Sequence, residues 1–372
     1  MPVKRLPSNP NLDHLKYQAK DLITGHAAHD QAVAQRIREF LPAFSAATDA
    51  AIFNAPLPLS SAQLAIAREH GFPSWPRLKA HIEKPARSNN PALLRHERIE
   101  DPGFRRAVDL LDAGDAAGLS DYLRQHPALL HQRVQFEGVN YFRNPSLLEF
   151  AAENPIRHGK LPPNIVQTAK VILDAGFDQS ALDETLMLVA TGRVPRDCGV
   201  QLPPIDLLCD YGADPARALH PATAHGEFKA VTALIQRGAP VDLPVAAALG
   251  RASEFHRLLP NAGETDRHLA LALAAQFGKV EIVRALMDAG ENPNRYNPSG
   301  AHSHSTPLHQ AALGGHNEVV RLLVERGARL DLKDVLWQGT PADWAQHEGR
   351  TEVEAYLRTE QASRNQKREE TP

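Results

Sequence analysis

Threonine-proline occurs at Thr306-Pro307 and returns at Thr340-Pro341, 34 residues later, with Ala311 and Gly315 reappearing as Ala345 and Gly349. Upstream, Ala274, Ala275, Gly278, Val283, Leu286 and Gly290 match Ala311, Ala312, Gly315, Val320, Leu323 and Gly327 one for one. Weaker copies run back through 220–242, 205–215 and 169–178 to a first candidate unit at 105–130, and 242–263 reads as a shortened unit. Self-similarity at such a period is the signature of a solenoid, in which units too small to bury an apolar face alone stack on their neighbours.

One unit can be read residue by residue. Thr306 caps a helix, and Pro307 suits the first helical position, where a missing N–H costs nothing. Small residues, Ala311 and Ala312, let a neighbour approach closely, and Gly314-Gly315 break the helix. A second helix is expected to start near Asn317, with Val319, Val320, Leu322 and Leu323 on a wide apolar face and Gly327 as its left-handed stop.

This unit resembles the ankyrin repeat, through the T-P-L-H-x-A run at 306–311, the period near 33 and the leucine pair followed by Gly327-Ala328. The resemblance is closest over 268–334, continues over 340–360 and is degenerate over 105–265. It implies an all-α fold, an ankyrin solenoid of about seven or eight units over 101–360, whose usual work is to hold another protein on its concave face. It also implies structural roles: the His309 ring bonds near the start of its own helix and to backbone around the hairpin, and His316 opens the second helix. Thr306, Pro307, Gly315, Gly327, Thr340 and Pro341 belong to the same structural set.

The first part of the chain has a different character. In "LDHLKYQAKDLI", Leu12, Leu15, Ala19, Leu22 and Ile23 share one helical face, with charges opposite. A second helix is expected over 31–41 and a third in 59–71, with Ser60 or Ser61 as its cap, before Phe72-Pro73-Ser74 turn into a helix begun at Trp75-Pro76. The pattern is similar to a helical leader found before ankyrin arrays in many bacterial proteins. It reads as a helical domain over 1–83, acting either as a cap on the solenoid or as a docking module through Arg68, Trp75 and Lys79. Residues 84–100 are the expected linker and 361–372 the expected disordered tail.

Charge supports a division. Residues 1–90 carry 11 Lys/Arg against 7 Asp/Glu, a formal +4, whereas the rest carries a formal −7. That balance argues against nucleic acid as the partner of the larger part. Two cysteines, Cys198 and Cys209, are too few for a disulfide framework or a four-cysteine zinc site. No apolar run approaches the ~20 residues of a membrane span, and no apolar core follows the basic start. The expectation is a monomeric cytoplasmic protein without cofactor, metal or membrane contact.

Sequence signs of an enzyme are weak: no G-x-S-x-G, G-x-x-x-x-G-K-[ST] or H-E-x-x-H run occurs. A hydrolase built on Cys198 has no base beside it in sequence. The candidate binding residues lie instead in the last units. The connection 292–305 is about four residues longer than an ordinary hairpin and carries Arg295, Tyr296, His302 and His304. The next hairpin brings Trp337 and Gln338 to its tip, while Gln310 and Trp344 take equivalent groove-facing positions. Tyr296, Trp337 and Trp344 are expected to form an aromatic strip that either binds a protein partner or packs the end of the solenoid. The alternative function is a regulator that takes a metal or small ligand on the 295–309 loop, with His302, His304 and His309 as donors.

Overall fold

Capping chemistry sets the start of the first helix: the Asn11 side chain accepts hydrogen bonds from the Asp13 and His14 amides at 2.8 and 3.3 Å, and Leu12–Ala27 follows. Asp30 and Thr48 do the same for Gln31–Phe40 and Asp49–Asn54. The computed structural model describes residues 4, 6, 10–83, 93–136 and 141–369, which divide into two compact units, Met1–Leu93 and Leu94–Pro372.

In the first unit Leu15, Ala19 and Leu22 are buried as the helical spacing predicts, packed with Ile37, Ile52, Ile66 and Leu78. Phe72 and Trp75 are half-buried against that core. Arg68 donates to the Phe40 carbonyl at 3.3 Å, a role inside the unit. The helix expected to be capped by Ser60 or Ser61 starts earlier, as Leu59–Glu69, with Pro58 at the cap and both serines in its first turn. Proline's preset backbone starts this helix without a side-chain acceptor.

The second unit is built of helix pairs. Among the described residues eight follow one another, from Pro102–Asp112 with Ala116–Gln125 to Pro341–His347 with Thr351–Glu369. No strand is present among the described residues beyond one isolated bridge, Arg133 to Ser146. The fold is an all-α solenoid. First helices of adjacent pairs pack on each other through small side chains, such as Ala246 and Ala247 of Leu243–Leu249 against Ala270 and Ala274 of Glu264–Gln276. Second helices supply the larger apolar residues, Val283, Leu286, Val320 and Leu323.

The stops follow backbone geometry. Gly327 has φ 89°, its N–H reaches the Val324 carbonyl at 3.2 Å, and the Ala328 N–H reaches Leu323 at 2.9 Å. This doubly bonded left-handed stop closes Asn317–Glu325. The degenerate first half has visible causes: a short helix, Arg193–Asp197, is inserted before Leu202–Asp210, and the first member of one pair is the 3₁₀ turn Leu148–Ala152.

Two expectations change here. Residues 84–92 of the expected linker lie outside the described residues, but its remainder is folded: His96–Arg98 is a 3₁₀ turn, and Ile99 is buried in the second unit's core. The expected disordered tail is helical through Glu369 as part of Thr351–Glu369, with 370–372 outside the described residues. Arg364 ties this helix down by donating to the Val324 and Ala328 carbonyls, both at 3.0 Å.

Candidate functional site

The site is assembled on the buried carboxylate of Asp334. It accepts hydrogen bonds from the Leu336, Trp337 and Gly339 amides at 2.9, 2.7 and 2.8 Å, and from the Trp344 indole nitrogen at 3.0 Å. Burial by itself opposes ionisation, but these four donors outweigh it and hold the carboxyl below its ordinary pKa. The result is a rigid turn that projects Trp337 outward, 69% exposed, while Trp344 is only 8% exposed.

His309 braces the same hairpin from below. Its Nδ1 pairs with the Thr306 N–H at 3.3 Å and the Thr306 hydroxyl at 2.8 Å, and its Nε2 reaches the Gly339 carbonyl at 3.1 Å. These partners assign the proton to Nε2. Burial pushes the pKa down to about 4, so the ring is neutral at physiological pH. In the last pair Asp343 stands where His309 does in the preceding one: its carboxylate accepts from the Thr340 amide and hydroxyl at 2.9 and 2.7 Å. His316 spans to the preceding pair, its Nε2 2.9 Å from the Gln276 carbonyl.

The long connection is organised against this hairpin. Its Val335 N–H donates to the His304 carbonyl at 2.8 Å, and Ser305, itself buried, accepts from Gln310 Nε2 at 2.8 Å. His302 adopts φ 54°, the left-handed region that non-glycine residues rarely use. The outcome is an aromatic cluster: His304 lies edge-on to Trp337 at 5.2 Å and tilted to Trp344 at 5.8 Å, and the two indoles stand 5.8 Å apart at 62°.

A cavity of about 540 Å³ opens beside this cluster. Of the candidate binding residues, His302, His304, Gln310, Trp337 and Trp344 line it. The other three do not. Arg295 pairs with Glu264 at 2.6 Å, both side chains being exposed. The Tyr296 hydroxyl donates to the Lys333 carbonyl at 2.6 Å, making that ring a strut between hairpins and leaving it out of the expected aromatic strip. Gln338, at φ 58°, turns its amide back to the Asp334 carbonyl at 3.2 Å.

Leu313, His347 and Glu348 also line the cavity and went unread. Their signal was available: Leu313 lies three positions after Gln310, and His347 and Glu348 three and four after Trp344, which places them on the same helical faces. A recess of about 320 Å³, lined in part by Phe277 and Arg350, shares His302, Gln310, Leu313 and Glu348 with the cavity. As for a metal on the 295–309 loop, His302 and His304 have ring centroids 6.0 Å apart, but the His309 ring is committed to Thr306 and Gly339.

Cys198 follows Arg193–Asp197 as an exposed free thiol, and Cys209 is free and half-buried. No helix among the described residues is long and apolar enough to cross a membrane.

Comparison with known proteins places the repeats. A family model described as ankyrin repeats, three copies, matches residues 243–334. The human cyclin-dependent kinase 4 inhibitor B is 32% identical over 135 residues, covering 28% of this chain and 96% of that protein. Cyclin-dependent kinase inhibitor 2A of Monodelphis domestica is 35% identical over 121 residues, 31% of this chain and 68% of its own length. Human ankyrin repeat and KH domain-containing protein 1 is 39% identical over 72 residues, 19% of this chain and 3% of its own. These relatives are eukaryotic and lend no support to a bacterial origin.

Proposed function

Because the chain belongs to the ankyrin-repeat proteins, a family of non-enzymatic interaction proteins, we propose that it is a scaffold that grips a partner protein at the cavity of its last two helix pairs. The observation that carries this reading is the convergence of His304, Trp337 and Trp344 beside an open cavity, with Trp337 left 69% exposed. An exposed tryptophan on a rigid turn is the kind of side chain that dominates binding energy at interfaces. The Glu348 side chain at the same cavity suits an arginine or lysine of the partner, inserted against the aromatic faces. The remainder of the reading is a monomeric, cytoplasmic protein that binds neither nucleic acid nor membrane. The N-terminal unit serves as a cap or a docking module, a reading that rests on its residue pattern alone.

The test is affinity capture from native extract with the intact chain and its Trp337→Ala and His302→Ala variants, with melting curves as a fold control. A purified cyclin-dependent kinase, the target in the names of two relatives, is the first bait. Trp344→Ala is a poor probe, since it strips a partner from buried Asp334. A protein retained by the parent and lost from folded Trp337→Ala supports the reading; equal retention sinks it.

One observation favours a second reading. The cavity volume, about 540 Å³, falls within the roughly 300–1,000 Å³ of small-molecule sites, so a small ligand on the 295–309 loop is the alternative. Thermal-shift screening of a metabolite set against the parent and His302→Ala separates the two.

A further inference from the structure

A second group of chemically competent side chains lies far along the chain from the aromatic cavity. His96 sits in the 3₁₀ turn His96–Arg98, Asp112 ends Pro102–Asp112, and His158 lies between Leu148–Ala152 and Ile165–Ala175. One donor atom from each lies within 4.8 Å of the other two. The imidazole rings of His96 and His158 are 4.8 Å apart. His96 is 6% exposed, and its Nδ1 is buried without a hydrogen-bond partner. An orphaned buried nitrogen costs free energy and calls for an explanation.

The carboxylate is presented rigidly. Arg157 makes a two-pronged pair with Asp112, Nη1 to Oδ2 and Nη2 to Oδ1, both at 2.8 Å. Asp112 Oδ2 keeps a second lone pair, which faces His158 Nε2 at 3.3 Å. That separation already matches the ligand–ligand edge of a tetrahedral zinc site, roughly 3.3–3.5 Å for bonds of ~2.0–2.2 Å. The guanidinium does not leave the neighbourhood positive: buried Glu153 also pairs with Arg157, at 2.8 Å, so two carboxylates face one cation.

We propose that His96, Asp112 and His158 bind one divalent cation of the zinc class. Two imidazoles and one carboxylate select zinc, cobalt or nickel over calcium and magnesium, and leave a fourth position for water. Binding exchanges the His158–Asp112 hydrogen bond for two metal bonds and adds a third ligand from the buried His96 ring. The three ligands come from separate segments, so the ion ties the irregular stretch before Ile165–Ala175 to the first helix pair.

The experiment titrates cobalt(II) into the chelator-treated full-length chain, reading visible d–d absorption, and then displaces it with zinc. The expected result is one cobalt per chain and a higher melting temperature with zinc. Affinity should fall more than about tenfold in His158→Ala, a surface change that leaves the Arg157–Asp112 pair intact, and in His96→Gln. His302→Ala/His304→Ala, which removes the other histidine pair, retains binding. Absence of stoichiometric cobalt binding overturns the proposal, as does binding that survives His158→Ala or is lost with the 302/304 pair. If His96→Gln does not fold, His158→Ala decides alone.

Discussion

The indole N–H of Trp344 donates to the carboxylate of Asp334 at 3.0 Å, and the same carboxylate holds three backbone amides of the hairpin that carries Trp337. One buried side chain thereby couples the exposed tryptophan to the interior one. Asp334→Ala should leave four donors without their acceptor and cost about 2–4 kcal/mol, read as a lower urea midpoint. Trp337→Ala, at a 69% exposed position, should stay within about 0.5 kcal/mol of the parent.

Acid should weaken the fold through His309. Its folded pKa of about 4 lies below the ordinary imidazole value of about 6.5, so between those values the unfolded chain takes up a proton that the folded chain refuses. The His309 contribution is complete above pH about 6.5 and is lost as pH falls toward 4, by about 3 kcal/mol in total. Urea midpoints of the parent and His309→Gln at pH 7.5 and 4.5 check this. The parent should lose more stability over that interval than the variant, and an equal loss in both removes His309 as the cause.

Two glycines of one helix pair should respond differently to alanine. Both have positive φ, 73° at Gly315 and 89° at Gly327, so each substitution costs about 1–2 kcal/mol of backbone strain. A Cβ at Gly327 meets nothing within 4 Å, whereas at Gly315 it lies 2.9 Å from Arg350 Cδ. That arginine donates to the Leu313 carbonyl, so displacing it adds a further loss. Thermal denaturation should rank Gly315→Ala below Gly327→Ala.

The last helix owes part of its order to Arg364. Arg364→Ala removes two hydrogen bonds to the Val324 and Ala328 carbonyls and should cost about 1–3 kcal/mol. Hydrogen exchange should speed up over 360–369 with little change in 307–325. Unchanged exchange there means that the helix holds without the arginine.

Periodicity was enough to read the repeat, because each packing position recurs: Thr306 with Thr340, Ala311 with Ala345, and Gly315 with Gly349. A stacked unit meets the same neighbour each time, so its core residues obey a one-dimensional rule. The cavity was half legible for the same reason, since Gln310 and Trp344 occupy one repeat position and both line it. Local signals misjudged the end of the chain, where polar composition suggested disorder but Arg364 finds carbonyls some 40 residues earlier in the chain.

Sequence alone therefore determined the all-α solenoid and its stops, which follow from spacing within a repeat. Tertiary structure decided which of the candidate side chains face the cavity. Tyr296 reaches Lys333, Arg295 reaches Glu264, and buried Asp334 draws Trp344 inward. It also brought His96, Asp112 and His158 together from a turn, a helix end and a loop. These are contacts across units, where a polar group takes whichever partner the stack brings within about 3 Å, and no repeat rule encodes that choice.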